Sequence, residues 1–200
     1  MTAAAPQLAD AIRVKLTSEG VLGERPFVVA IDGRSGAGKS TLAGAVAGLL
    51  GECLVIDGDD FYAGGSLEEW AGRSPAAKVA EVMDWRRQRE LLTTLRAGKN
   101  GTWFGYDWEA FDGRLSTTAT VAEPARVIVL EGAYSARPEL ADQLDLRVLA
   151  EADLPTRRRR LRERDGEQWH DAWFDLWSQA EDFYFGRIVP AAGFDLRLAT

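Results

Sequence analysis

Phe27-Val28-Val29-Ala30-Ile31-Asp32-Gly33-Arg34-Ser35-Gly36-Ala37-Gly38-Lys39-Ser40-Thr41 is the stretch whose reading decides the fold. Its first part is a short β-branched apolar run, the pattern of a buried parallel strand. Gly33, Gly38, Lys39 and Ser40 then spell G-x-x-x-x-G-K-S, and Leu42 to Leu50 is an Ala/Leu-rich helical run. Glycines let successive backbone N–H groups curl around phosphate oxygens. The following helix points its positive end at the same anion. The pattern therefore assigns Gly33, Arg34, Ser35, Gly36, Ala37, Gly38, Lys39, Ser40 and Thr41 to nucleotide phosphate binding. Lys39 would reach the β/γ-phosphates and the Ser40 hydroxyl would ligate Mg²⁺.

The flanking sequence alternates strand and helix signals. Leu8, Ile12 and Leu16 mark an amphipathic helix, Gly20 to Arg25 a loop, and Pro26 the start of the first strand. Further strands are expected at Cys53–Ile56, Arg126–Leu130, Leu146–Leu149 and Phe194–Leu198. Helices are expected at Arg86–Arg96, Pro138–Leu144, Pro155–Arg164 and Trp169–Ile188, with Pro190 as the stop. Gly64 to Pro75 reads as loop with a short helical turn around Leu67 to Trp70. Thr102–Trp108 and Leu115–Val121 read as a hairpin around Asp112-Gly113. The alternation implies a parallel sheet covered on both faces, an α/β fold. Ligands of such sheets bind beyond the strands' carboxyl ends. The phosphate loop, Asp59 and Glu131 all fall at such ends, a combination suited to phosphoryl transfer.

Composition narrows the partners. Two hundred residues with 46% hydrophobic content suffice for one domain with a core. A net charge of −7 argues against a nucleic-acid partner. No run is long enough to span a bilayer and no leader pattern opens the chain, so no membrane is expected. The single cysteine, Cys53, lies in an apolar run and reads as a packed thiol of a reducing, cytoplasmic compartment.

Six short motifs resemble the uridine kinase-like family. Val55-Ile56-Asp57-Gly58-Asp59-Asp60-Phe61-Tyr62 resembles its second-strand motif, and Met83-Asp84-Trp85 its "F-D-H-P" element. Gly105-Tyr106-Asp107-Trp108 is similar to its "Y-D-F" element, and Val129-Leu130-Glu131-Gly132 to its "EG" strand end. Arg157, Arg160 and Arg164-Asp165 follow its lid spacing, and Glu181-Asp182-Phe183-Tyr184 is similar to its late helix. The resemblance runs in order over residues 26 to 198.

It implies a three-layer α/β/α P-loop NTPase fold in a single domain over residues 1–200. The core would take residues 26–62, 126–153 and 189–198, acceptor-binding insertions about 63–121, and an Arg-bearing helical lid about 154–170. It implies transfer of the γ-phosphate of Mg-ATP to a hydroxyl of a small molecule, either a uridine- or cytidine-like nucleoside or a sugar-containing compound. Asp59 would be the base, Glu131 would support Mg²⁺ through water, and Lys39, Arg160 and Arg164 would act on the transferring phosphate. Asp84, Tyr62, Tyr106, Trp108 and Arg114 would serve the acceptor. Arg158 and Arg159 are read as solvated. Trp85-Arg86 replaces the family's His-Pro, and an aromatic near Phe111 replaces its base-reading His. Kinases for pantothenate, nicotinamide riboside, sugars and other small alcohols therefore stay open, as does a homo-oligomer. A regulatory ATPase is the competing class, although neither a guanine-reading N-K-x-D nor an L-S-G-G-Q segment is present.

Of the seven tryptophans, Trp169, Trp173 and Trp177 share one helix face and are read as core. Trp85, Trp103 and Trp108 are preferred as ligand-stacking residues, and His170 as a surface or lid residue.

Overall fold

The computed structural model describes residues 3–18, 25–166 and 169–200. Five parallel strands form the sheet: β1 Phe27–Asp32, β2 Cys53–Asp57, β5 Val127–Glu131, β6 Leu146–Glu151 and β7 Leu196–Ala199. Their order is β2-β5-β1-β6-β7. Every residue of β1 is buried because the strand is central and covered on both faces. Register aligns Ile31 with Glu131 and Asp57 with Glu131, so the three strand ends that carry the motifs meet at one rim.

Alternation along β1 sorts the core into layers. Phe27, Val29 and Ile31 face the helices α1 (Ala4–Ser18) and α2 (Lys39–Leu50), together with Leu8, Ile12 and Val46. On the opposite face, Val28 packs with Leu91, Leu92 and Leu95 of α5 (Trp85–Arg96). Ala30 packs there with Leu176, Ala180 and Tyr184. The first two of these belong to α7 (Asp171–Phe183) and Tyr184 opens the turn after it. The result is the three-layer α/β/α architecture. Cys53, partly buried against the first cluster, is a packed thiol, and burial pushes it up to about 11.

Several boundaries differ from those the sequence suggests. A helix α4 (Pro75–Glu81) begins at the end of the expected loop Gly64–Pro75, following the short α3 (Leu67–Ala71). Ser74 accepts the Ala77 N–H and Pro75 opens the first turn, so Gly72-Arg73-Ser74-Pro75 is a helix start rather than a continued loop. The long final helix is shorter than expected. It begins at Asp171, and its last turn widens to π-helix over Tyr184–Ile188 before Pro190. The hairpin exists, but its ladder is confined to β3 Gly101–Trp103 and β4 Thr120–Ala122, with a separate bridge between Tyr106 and Leu115. Its tip between them is irregular. The Arg-bearing helix α6 spans Leu154–Asp165, capped by Asp153. Of the expected loop Gly20–Arg25, residues 20–24 lie outside the described residues, as do residues 167 and 168 of the expected lid. Among the described residues, no helix is long and apolar enough to cross a membrane.

Candidate active site

A cavity of about 1250 Å³ opens at the carboxyl rim of the sheet. Its phosphate end is built by the turn from β1 into α2. Gly38 has φ 89 and Gly36 φ 75, left-handed values that aim successive backbone N–H groups inward. At Gly36 a Cβ would come within 2.6 Å of the Arg157 carbonyl oxygen, so the loop lies directly against α6. Ser35, Gly36, Gly38, Lys39, Ser40 and Thr41 line the cavity. Gly33, Arg34 and Ala37 do not. The Arg34 guanidinium is turned outward to Asp182 at 2.7 Å and over the Phe185 ring.

Three acids lie at the strand ends beside this loop. Glu131, at the end of β5, is 3% exposed and bonded to the Ser40 hydroxyl. Burial pushes its carboxyl up to about 7, with the nearby Asp57 charge adding and Lys39 opposing. Asp57 is raised to about 6, by burial first and the Asp59 charge next. Asp57 is solvent-exposed as a residue, so water screens much of its effect. Asp59 lies on the 3₁₀ turn Gly58–Phe61, its N–H donating to Asp57 Oδ1 at 2.9 Å, and it also lines the cavity. The Ser40 hydroxyl and the Glu131 carboxylate are oxygen donors of the kind a hard divalent cation such as Mg²⁺ takes, although among the described residues no group of three or more His, Cys, Asp or Glu side chains is placed to hold a metal ion.

The raised carboxyl of Glu131 has a measurable consequence. A carboxyl that titrates near 7 in the fold and near 4.5 in the unfolded chain binds more protons when folded across that window. Folding stability from this group is therefore lost as pH rises from about 4.5 to 7. Gln mimics the protonated form. In metal-free buffer Glu131→Gln should match the wild type near pH 5 and melt at higher temperature than it near pH 8. A gap independent of pH would contradict this assignment.

Helix α6 is stitched to the phosphate loop. Arg160 donates to the Gly36 and Ala37 carbonyls at 3.4 and 3.3 Å and to the Thr200 carbonyl at 3.0 Å, while also lining the cavity. Arg164 lines it too, paired with Asp165 and influenced by the Asp59 charge. Arg157 is 6% exposed and donates to the Ser35 carbonyl. Arg158, expected in solvent, reaches Asp175 at 3.0 Å because α7 packs alongside α6, whereas Arg159 is exposed.

Two buried acids that were not expected from the sequence fix this geometry. Asp32 is fully buried at the end of β1. It accepts the N–H groups of Gly33, Tyr134 and Ala136 and the Tyr184 hydroxyl, at 2.7 to 3.0 Å. Burial pushes its carboxyl up against the pull of these donors. Glu181 of α7, 1% exposed, accepts both the N–H and the hydroxyl of Ser35, at 2.7 and 2.6 Å, and lies 3.6 Å from Arg157. One carboxylate thus ties α7, α6 and the phosphate loop together. A polar residue closing the run Phe27–Ile31 is the sequence signal for Asp32. Glu181, 146 residues from Ser35, gives no local one.

The residues expected to serve an acceptor divide. Tyr62 and Trp108 line the cavity; Asp84, Tyr106 and Arg114 do not. Asp84 is the N-cap of α5, its carboxylate accepting the Arg87 N–H. Tyr106 is buried behind the rings of Tyr62 and Trp108, with centroids at 5.0 and 4.9 Å. Arg114 is exposed and paired with its neighbour Asp112. Trp108 keeps its expected place at the cavity, whereas Trp85 and Trp103 do not reach it, and the stripe expected in the core also packs on the core cluster at Trp173 and Trp177. Trp169, Trp173 and Trp177 line the cavity, as does His170, because α7 forms one of its walls. Trp103 is buried, donating to Asp60 Oδ2 at 2.7 Å, and Trp85 lies against Arg86 and Arg137. Periodicity shows that side chains share a helix face but not whether that face meets core or cavity.

Comparison with known proteins agrees with this architecture. A family model described as an AAA domain matches residues 29–172. The uridine kinase of Halobacterium salinarum is 32% identical over 142 residues, which is 70% of this chain and 62% of that relative. The uridine kinase of Deinococcus deserti is 31% identical over 150 residues, covering 70% of this chain and 69% of that relative. Thus the match spans less than two thirds of the Halobacterium protein's own length. Among solved structures, a possible uridine kinase from Bacillus stearothermophilus superposes with a TM-score of 0.73 at 20% identity, over 98% of this chain and 97% of that one. D-glycerate 3-kinase from Cryptococcus neoformans gives 0.72 at 14% identity, over 100% and 96%. These last two likenesses establish the fold alone. With the family model covering residues 29–172 and the curated relatives above 30% identity, the chain belongs to the AAA-domain P-loop family and, within it, to the uridine kinase-like P-loop kinases.

Proposed function

We propose that this chain is a small-molecule kinase that moves the γ-phosphate of ATP to an alcohol, with a nucleoside of the uridine or cytidine kind, or another sugar-containing compound, as acceptor. The observation that carries the reading is that a phosphate loop, a free carboxylate at Asp59, two arginines of α6 and an aromatic compartment share one cavity. Nucleotide hydrolysis alone has no use for the aromatic compartment.

The acceptor hydroxyl oxygen would attack the γ-phosphorus as the bond to the bridging oxygen breaks, leaving ADP. Asp59 takes the hydroxyl proton, acting as the general base. Lys39, Arg160 and Arg164 set positive charge around the transferring group, where a water-poor site strengthens it. Ser40 and Glu131 would hold Mg²⁺, which supplies charge neutralisation on the phosphate oxygens when bound. Glu181 and Asp32 keep the loop and the β5 end in register but touch no reacting atom.

The test is ADP release from Mg-ATP across a panel of nucleosides, sugars and vitamin alcohols. Turnover should rise severalfold or more with one acceptor class. Hydrolysis indifferent to every alcohol would favour a regulatory ATPase instead.

A further inference from the structure

Ser35 of the phosphate loop is held at three atoms by two side chains from different helices. Its N–H and its hydroxyl both donate to Oε1 of Glu181, at 2.7 and 2.6 Å. Its carbonyl accepts Nη1 of Arg157 at 3.2 Å. The same Nη1 lies 3.6 Å from Glu181 Oε2, which closes a triangle of loop, α6 and α7. Arg34, the other cation near Oε2, stands 3.9 Å away and is bonded to Asp182 instead.

Stability does not account for this triangle. A buried ion pair stabilises a fold only when its geometry is tight and its remaining lone pairs and protons are satisfied. Here Glu181 Oε2 and Arg157 Nε are, among the described residues, buried atoms without a hydrogen bond. The pair is held slightly open while each partner is committed to Ser35. Buried polar atoms left in this state are uncommon and call for a role.

What the triangle fixes is the setting of α6. Arg157, Arg160 and Arg164 stand at i, i+3 and i+7, on one face of that helix. Arg160 and Arg164 line the cavity from there. The loop meets α6 without slack, since a Cβ on Gly36 would come within 2.6 Å of the Arg157 carbonyl oxygen and 3.0 Å of Leu161 Cγ. Pinning Arg157 therefore pins the rotation of α6 against the loop, and with it both guanidinium groups.

We propose that Glu181 and Arg157 are positioning residues for phosphate transfer, setting Arg160 and Arg164 at the transferring group while the Ser35 bonds hold the loop for the nucleotide. The inference rests on the kinase reading and adds two residues that touch no reacting atom. It gives the two sides of the triangle different kinetic signatures.

The experiment measures kcat, ATP KM and melting temperature of the full chain with Mg-ATP and each alcohol of the nucleoside, sugar and vitamin panel. In Glu181→Gln the amide oxygen can keep both Ser35 bonds, and only the atom facing Arg157 changes. Misplacing a catalytic group by about 1 Å can cost on the order of 10²-fold in rate. Glu181→Gln should therefore lower kcat about tenfold or more while ATP KM stays within about twofold. Arg157→Gln cuts the same side from its other end, so the double variant should lose no more kcat than either single one. The double variant also leaves no unpaired buried charge, and it carries the test alone if a single variant melts early. Ser35→Ala removes only a hydroxyl and should show its loss mainly as a rise of a few-fold in ATP KM. Wild-type kcat in the folded Gln variants, or single losses that multiply in the double variant, overturns the inference and leaves the kinase reading intact. Hydrolysis that no alcohol stimulates overturns both.

Discussion

Asp59→Asn should abolish phosphate transfer while nucleotide binding stays near the wild-type level. The side chain sits on the short turn after β2, and its backbone N–H is held by Asp57. Asn has the same shape and leaves that backbone bond in place, so the loop should keep its course. What is lost is the ability to accept a proton as the acceptor hydroxyl attacks. General-base contributions are typically about 10²–10⁴-fold in rate, and a fall of that size in kcat is the expected outcome. Apparent ATP affinity, set by the loop and Lys39, should change by no more than a few-fold. Steady-state kinetics beside an equilibrium nucleotide titration separates the two effects. Wild-type turnover in the Asn variant would remove Asp59 from the role of base.

Lys39→Ala should instead weaken nucleotide binding and turnover together. The ammonium lies within the loop, 3.3 Å from the Arg34 carbonyl, and its charge acts on Asp32, Asp57 and Glu131. Its removal takes a positive charge away from the phosphate end and leaves the neighbouring Asp57 and Glu131 carboxyls, which repel one another, without its opposing charge. Loss of one preorganised charge-stabilising donor costs about 10²–10³ in rate, on the order of 3–4 kcal/mol. The nucleotide-dependent rise in melting temperature should shrink in step, since ligand stabilisation follows affinity. A variant that kept its full thermal shift with ATP would contradict the placing of Lys39 on the phosphates.

The donor half of this site was legible in sequence because its instructions are local. The run Phe27–Ile31, the glycines at 33, 36 and 38, and Lys39-Ser40 lie within one stretch whose backbone geometry they dictate themselves. Strand ends carrying Asp59 and Glu131 were legible for a related reason, since parallel order brings carboxyl ends to one rim. The acceptor half depends on packing between distant segments. Asp84 looked like a ligand group, yet its place just before Arg86-Arg87 makes it a helix cap. Trp173 and Trp177 looked like core alone because helical spacing cannot tell a cavity wall from a buried face. Helix α4 was hidden by Gly72, whose loop signal outweighed the Ser74-Pro75 start. Glu181 was invisible as a site residue, because its partners Ser35 and Arg157 meet it only after three elements have packed.

The central claim is that the phosphate leaves ATP for an alcohol and not for water. Phosphorus NMR of a reaction containing the protein, Mg-ATP and a nucleoside or sugar-containing alcohol reports this directly. The account predicts that the ATP resonances give way to those of ADP and a phosphomonoester in equal amounts, with Asp59→Asn showing neither. Growth of inorganic phosphate alone, at a rate the alcohol does not change, would contradict it.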